Sequence, residues 1–272
     1  MSEIICDICP HHCHIQEGKT GMCRARTNRH GINACANYGR ITSLAMDPIE
    51  KKPFADFYPG SMILSAGSYG CNLACPFCQN AMISMADEQS ADYQEISPDQ
   101  LAEIILSQRD NLGIAFTYNE PMISWEYIRD TAKLLKGTDK KVVLVTNGCV
   151  TKNVLKELMP YTDAMNIDLK GDAAFYHELH GEYQTVKDTI AYCYDQCHVE
   201  VTTLIIPGKN DSIAFIETEA KWLASLDTSI VLHLSRYFLR YQYQIRETDP
   251  HTILSLCTAA KKYLKYVYPG NI

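Results

Sequence analysis

The chain has 272 residues, of which 46% are hydrophobic and 21% charged. These proportions fit a globular protein with one large core or two modest ones and exclude a disordered chain. A formal charge of −7 leaves no basic footprint for broad nucleic-acid binding, and no apolar run approaches the ~20 residues that span a bilayer.

The opening MSEIICDICPHH lacks the basic-then-apolar order of a secretory signal, so a cytoplasmic location and no membrane partner are expected. In that setting the twelve cysteines read as metal ligands and reduced thiols, not as a disulfide framework. Residues 1–60 are expected to form a cysteine-rich metal-binding segment and connector, and residues 61–272 the main domain with a C-terminal helix. Cys6, Cys9, Cys13 and Cys23 stand at C-x2-C-x3-C-x9-C, in a stretch too short and polar to build its own core, which argues for a metal staple. Thiolates suit zinc and a 4Fe-4S cluster alike, so spacing leaves both open. A second cluster there would relay electrons. His11, His12 and His14 are expected at the surface and Cys35 as a small core residue. In the following run DPIEKKPFADFYPG, Pro48, Pro53 and Pro59 exclude a continuous helix. It reads as a connector approaching the main domain, with Lys51 and Lys52 as solvated surface lysines in preference to the alternative that they reach toward the active site.

From Ser61 to Asn80 an apolar strand enters a glycine-bearing turn and then presents Cys71, Cys75 and Cys78 at C-x3-C-x2-C. Iron–sulfur clusters are held by cysteine thiolates, and a four-iron cube with three protein ligands leaves one iron open to another molecule. A structural zinc knot is the alternative; it needs a fourth nearby ligand, and none follows Cys78 closely.

Beyond this loop, strand-like runs alternate with helix-length amphipathic segments. Strands are predicted at Ser61–Ser68, Gly113–Tyr118, Lys141–Thr146, Ala164–Leu169, Val199–Ile206 and Ile230–Ser235. Helices are predicted at Pro98–Arg109, Glu120–Leu135, Lys152–Met159, Gln184–Cys197, Ser212–Leu226 and His251–Tyr266. Such alternation indicates parallel strands with right-handed crossovers, giving either an open, partial β/α barrel or a doubly wound sheet. In both, ligands gather at the carboxyl ends of strands. Those ends carry Asn119-Glu120-Pro121, Thr146-Asn147-Gly148, Asp168-Leu169-Lys170 and, on the last strand, His233 and Ser235. After the fifth strand, Asp211 is expected to cap the next helix. Cys193, Cys197 and Cys257 read as buried structural thiols, while Cys149, just after the third strand, is open to a redox role.

The three-cysteine spacing with an aromatic residue, Phe77, just before the last cysteine resembles the signature of the radical SAM superfamily. Pro121 and Glu120 match part of that family's Gly-Gly-Glu-Pro segment, whose glycines are absent here, and TNG and DLK resemble segments of pyruvate formate-lyase activating enzymes. Where those relatives commonly carry an aspartate before TNG, this chain has Val145. The likeness is nearest to the AmmeMemoRadiSam group, through CDICPHHC, GMCRAR, DPIEKKPF, YPGS, TYNEP, VTNG, IDLKG, IIPG and LHLSRY. The resemblance implies a partial (β/α)6 TIM-type barrel with a 4Fe-4S cluster on Cys71, Cys75 and Cys78. It implies S-adenosylmethionine beside Phe77, Asn119, Glu120, Asn147, Asp168, Lys170, His233 and Ser235. Its implied activity is reductive cleavage of S-adenosylmethionine to a 5′-deoxyadenosyl radical that abstracts hydrogen from an unidentified substrate. Activation of a glycyl radical enzyme and modification of a peptide, an RNA or a small molecule all fit. The electron donor would be a flavodoxin or ferredoxin. A non-catalytic iron–sulfur carrier or metal-stapled binding protein is the reading from another class.

Overall fold

The computed structural model describes residues 2–272. The chain opens with small antiparallel pairs: β1 (Glu3–Ile5) with β2 (His14–Gln16), and β3 (Arg26–Arg29) with β4 (Ile32–Cys35). Then follow β5 (Arg40–Ile41), β6 (Ser43–Pro48), β7 (Met62–Gly67), α1 (Ala81–Ser84), β8 (Gln94–Glu95), α2 (Pro98–Ser107), β9 (Asn111–Phe116), α3 (Trp125–Leu135), β10 (Lys141–Thr146) and α4 (Lys152–Leu158). The chain closes with β11 (Ala164–Asp168), α5 (Ala173–Glu178), α6 (Tyr183–Cys193), β12 (His198–Ile205), α7 (Ile213–Leu226), β13 (Val231–Arg236), α8 (Pro250–Ala260) and β14 (Val267–Gly270). Local chemistry starts several helices. Ser97 and Gln100 form a reciprocal capping box with Pro98 in the first turn, and Asp172 and Asp249 cap α5 and α8.

The main sheet has eight strands in the order β14-β13-β12-β11-β10-β9-β7-β6. All neighbours run parallel except β6 against β7. A doubly wound sheet reverses its order at a switch point; here the order follows the chain in one direction, and the architecture is a partial β/α barrel. The six predicted strands form within two residues of their expected bounds. The edge strands β6 and β14 are additions, and α5 was not foreseen. The four residues of β14 contain Pro269 and Gly270, which read as a turn in isolation but are tolerated on a sheet edge. The helices α6 and α8 stop at Cys193 and Ala260, before the expected Cys197 and Tyr266, as the chain turns on carbonyls of Cys193 and Ala260. Ser212, not Asp211, caps α7 by accepting from Phe215 N, while Asp211 accepts from Gly208 N.

Strand side chains alternate between two layers. One face packs under the helices through residues such as Ile114, Leu144, Ile167, Val201 and Leu232. The inner face places Ile63, Ala115, Val143 and Ala164 around Ile49, Phe54 and Phe57. These last three come from the connector, which therefore enters the barrel and forms its floor. Pro53 O accepts from Asn166 Nδ2 at 2.7 Å, Ala55 N and Asp56 N donate to the Glu200 carboxylate at 2.9 and 3.0 Å, and Tyr268 of β14 donates to Asp56 at 2.8 Å.

This corrects the reading of Lys52 as a solvated lysine. Insertion of Phe54 draws Lys52 inside to 4% exposure, where Asp47 of β6 supplies a counter-ion at 2.8 Å. Lys51 stays at the surface, 3.9 Å from Asp47. Among the described residues, no helix is long and apolar enough to cross a membrane.

Candidate functional site

A cavity of about 800 Å³ opens above the apolar floor, at the carboxyl ends of the strands. The loop after β7 brings Cys71, Cys75 and Cys78 to its wall. The loop is held by side-chain amides. Asn72 Nδ2 donates to Cys149 O at 2.6 Å, and Asn147 Nδ2 donates to Asn72 Oδ1 at 2.9 Å and reaches the Cys71 sulfur at 3.6 Å. Leu73 N also donates to Cys71 Sγ at 3.4 Å. Phe77 is buried, lines the cavity beside the cysteines and packs against Phe175 and Tyr243, each 5.9 Å away between ring centroids.

Asn119, expected at the cofactor, directs its side chain to the cysteine loop. Its Oδ1 accepts from Ser68 N at 3.0 Å, and its Nδ2 donates to Tyr69 O and Gly70 O at 3.2 and 3.0 Å. Glu120 lines the cavity yet is 1% exposed. Its carboxylate accepts from Met122 N, Thr146 Oγ1 and Asn147 N at 2.9, 2.7 and 2.7 Å. Burial pushes this carboxyl up, and the three donors offset that only in part, leaving it at about 7.

Asp168 and Lys170 both face the cavity and pair at 2.7 Å. Burial works against the Lys170 charge, but Asp168 and Cys75 outweigh it and hold the ammonium above its ordinary value. Ser235 and His233 line the β13 side. His233 is buried, stacks on Tyr268 and bonds Glu200 Oε2 through Nε2 at 2.5 Å. Glu200 also takes His198 Nε2 at 2.8 Å. Burial raises this carboxyl, yet the two histidines and the connector amides prevail and bring it down to about 2.

Burial raises two of these thiols: Cys75 is pushed up to about 12 and Cys71 well above its ordinary value. Cys149 is also raised, to about 11, and its sealed position fits a structural thiol. At the end of β13, Tyr237 is buried, and Arg236 pairs with Glu247 and Thr248 O.

The N-terminal cysteines lie against this loop. The Cβ of any larger residue at position 70 would stand 2.4 Å from Cys23 O, so Gly70 at φ +85° permits the contact. Three of the four sulfurs receive N–H groups: Cys6 from Asn33 Nδ2, Cys13 from Met22 N and Cys23 from Arg26 N, at 3.4 to 3.5 Å. Arg26 seals the segment to α3, donating to both Glu126 oxygens and to Ile123 O. Among the described residues, no three His, Cys, Asp or Glu side chains stand close enough to hold one metal ion.

Sequence reasoning missed Asp47, Tyr118, Asn72 and Glu200, and favoured the wrong one of two readings for Lys52. Only Glu200 left a legible trace, a carboxylate between two valines of a buried strand, where a charge requires partners.

The family model described as the radical SAM superfamily matches residues 66–217. An uncharacterized protein of Methanocaldococcus jannaschii is 36% identical over an alignment that covers all of this chain and 82% of that protein. Among solved structures, a domain of pyruvate-formate lyase-activating enzyme from Bacteroides vulgatus superposes with TM-score 0.51 at 19% identity, over 58% of this chain and 99% of that one. Streptococcus suis SuiB bound to S-adenosylmethionine gives TM-score 0.59 at 14% identity, over 76% of this chain and 51% of that one. SuiB bound to its precursor peptide SuiA gives 0.60 at 15%, over 82% and 51%. At these identities the structural likenesses concern the fold.

Proposed function

The chain belongs to the radical SAM superfamily and is an enzyme of that superfamily, and from that premise we propose that it cleaves S-adenosylmethionine reductively at a 4Fe-4S cluster held by Cys71, Cys75 and Cys78. The carrying observation is the meeting of these three thiols with Glu120, Asn147 and the Asp168–Lys170 pair in one cavity. The donor set fits the group: soft sulfurs, one already receiving two N–H donors, beside a cavity within the range that encloses a small-molecule ligand. A cluster held by Cys71, Cys75 and Cys78 would supply one-electron reduction of S-adenosylmethionine, the chemistry that would generate a hydrogen-abstracting 5′-deoxyadenosyl radical.

The protein's own part is positioning and exclusion of water. Glu120 has a remaining acceptor position for an ammonium, Lys170 can meet a carboxylate, and Asp168 and Ser235 can bond hydroxyls. Asn147 fixes the loop by its amide and donates to Glu120 by its backbone N–H, which locks cysteine loop and carboxylate together. Phe77 gives the cavity an apolar wall beside the cysteine loop.

The four N-terminal cysteines form a second centre in this reading, an iron–sulfur cluster or zinc. The Cys23–Gly70 contact supports a cluster that relays electrons from a flavodoxin or ferredoxin. The substrate in this reading is a glycyl radical enzyme, a peptide, an RNA or a small molecule, and the SuiB complex with its precursor peptide is what favours the peptide case.

The test is to reconstitute the full chain anaerobically, add S-adenosylmethionine and dithionite, and assay 5′-deoxyadenosine alongside iron and zinc content. Cys75→Ala should abolish cleavage, while Cys9→Ala should leave at least part of it. Zinc in the Cys71–Cys78 loop, or a wild-type protein whose spectrum ignores S-adenosylmethionine, would refute the proposal.

A further inference from the structure

We infer that Tyr118 is a positioning residue for the cysteine loop: its side chain, braced on the connector by Asp47 and Lys52, holds a strained backbone whose carbonyl clamps the far end of that loop. The inference rests on the function proposed above, because it concerns how the loop is set toward its cofactors.

Tyr118 has φ +73°. Glycine takes that left-handed conformation freely, whereas a tyrosine holds it only when its surroundings over-determine it. The surroundings here do so from two sides. On the side-chain side, Tyr118 Oη donates to Asp47 Oδ2 at 2.7 Å and accepts from Lys52 Nζ at 3.3 Å, and the Lys52 ammonium lies 4.4 Å from the ring centroid. Gly67 leaves room for the ring; a Cβ there would stand 2.8 Å from Tyr118 Cδ2. On the main-chain side, Tyr118 O accepts from Asn80 Nδ2 at 2.8 Å and from Ser84 Oγ at 3.4 Å, both just past Cys78.

The next residue, Asn119, grips Ser68, Tyr69 and Gly70 on the near side of Cys71. Tyr118 and Asn119 together therefore hold both flanks of the cysteine loop. Relaxing φ to a negative value would rotate the 118 carbonyl away from Asn80 and Ser84. What prevents this is the ring's attachment to Asp47 and Lys52, which belong to β6 and to the connector that floors the barrel. Lys52 and Asp47 bind each other at 2.8 Å, so the brace is a closed triangle of charge-assisted bonds. Seating of the connector in the barrel is thereby coupled to the placement of Cys78.

The experiment uses the full chain, with and without its reconstituted cluster, as wild type and as Tyr118→Phe, Tyr118→Ala and Tyr118→Gly. Hydrogen exchange is followed across residues 68–86, and the reduced cluster is titrated with S-adenosylmethionine by electron paramagnetic resonance. Tyr118→Phe removes the hydroxyl's bonds to Asp47 and Lys52 and should speed exchange at residues 79–86 at least about tenfold and weaken the titration at least about tenfold. Tyr118→Ala should do more. Tyr118→Gly should recover part of the Ala loss, because glycine keeps the left-handed backbone without a brace.

Equal effects of Ala and Gly, or a Phe variant that matches wild type in both readouts, would overturn the inference. If wild type itself gives no spectral response to S-adenosylmethionine, the proposed function fails, while the exchange data still decide the role of Tyr118.

Discussion

Glu200→Gln removes one charge from a carboxylate that joins three parts of the protein. Glu200 is 0% exposed and accepts from His198, His233, Ala55 N and Asp56 N. Its carboxyl sits at about 2 in place of an ordinary 4.5, and a carboxyl so depressed contributes about 3 kcal/mol to folding at neutral pH. The sign follows from the direction: because the folded value is lowered, the contribution is complete above 4.5 and is lost as pH falls from there through about 2. The glutamine variant keeps the shape but replaces one acceptor with a donor, which leaves an N–H facing either the connector amides or a histidine.

Urea denaturation of both proteins at pH 7 should show the variant less stable by about 3 kcal/mol, with the gap narrowing to about 2 kcal/mol near pH 3.5. Since Ala55 and Asp56 seat the connector, exchange of amides at residues 49–57 should rise with the loss. A gap below about 1 kcal/mol at pH 7, or one that widens toward acid, would refute the view of Glu200 as an ionised bolt between connector and barrel.

Glu219 has the opposite sign. Burial, offset only in part by Thr203, raises it to about 8. Ionisation therefore costs stability as pH climbs from 4.5 through 8, and Glu219→Gln should be more stable than wild type by about 3 kcal/mol at pH 7, with little difference at pH 4.5, by thermal or urea unfolding. Arg26→Met strands Glu126 and unties the cysteine segment from α3; a loss of about 3 kcal/mol with earlier proteolysis before residue 42 is expected. Gly113→Ala would place a Cβ 1.9 Å from Lys141 O, so β9 and β10 must separate. Soluble yield and urea midpoint should fall by the equivalent of at least about 3 kcal/mol.

Much of the barrel was legible because hydrophobic periodicity switches from strand to helix with little ambiguity. Lys141–Thr146 formed as predicted to the residue. The thiols of the 71–78 loop were legible for a different reason: their spacing is local, and a strand end is where a ligand belongs. Asn119 shows the limit. Its place at a strand end was correct, but the direction of its amide depended on Ser68, Tyr69 and Gly70, some fifty positions away in the chain. The role of Lys52 was illegible because two adjacent lysines among prolines look the same whether Phe54 enters a barrel or lies on a surface.

By itself the sequence determined the repeated strand–helix units, the cysteine spacings and the strand-end residues, since each depends on neighbours within a few positions of the chain. The tertiary structure alone decided that the connector floors the barrel, that Glu200 binds it, and that Tyr118 is braced by Asp47 and Lys52. These arrangements arise from the open seam between β6 and β14. Closing a partial barrel buries charge and backbone that must find partners, and those partners are distant in the chain.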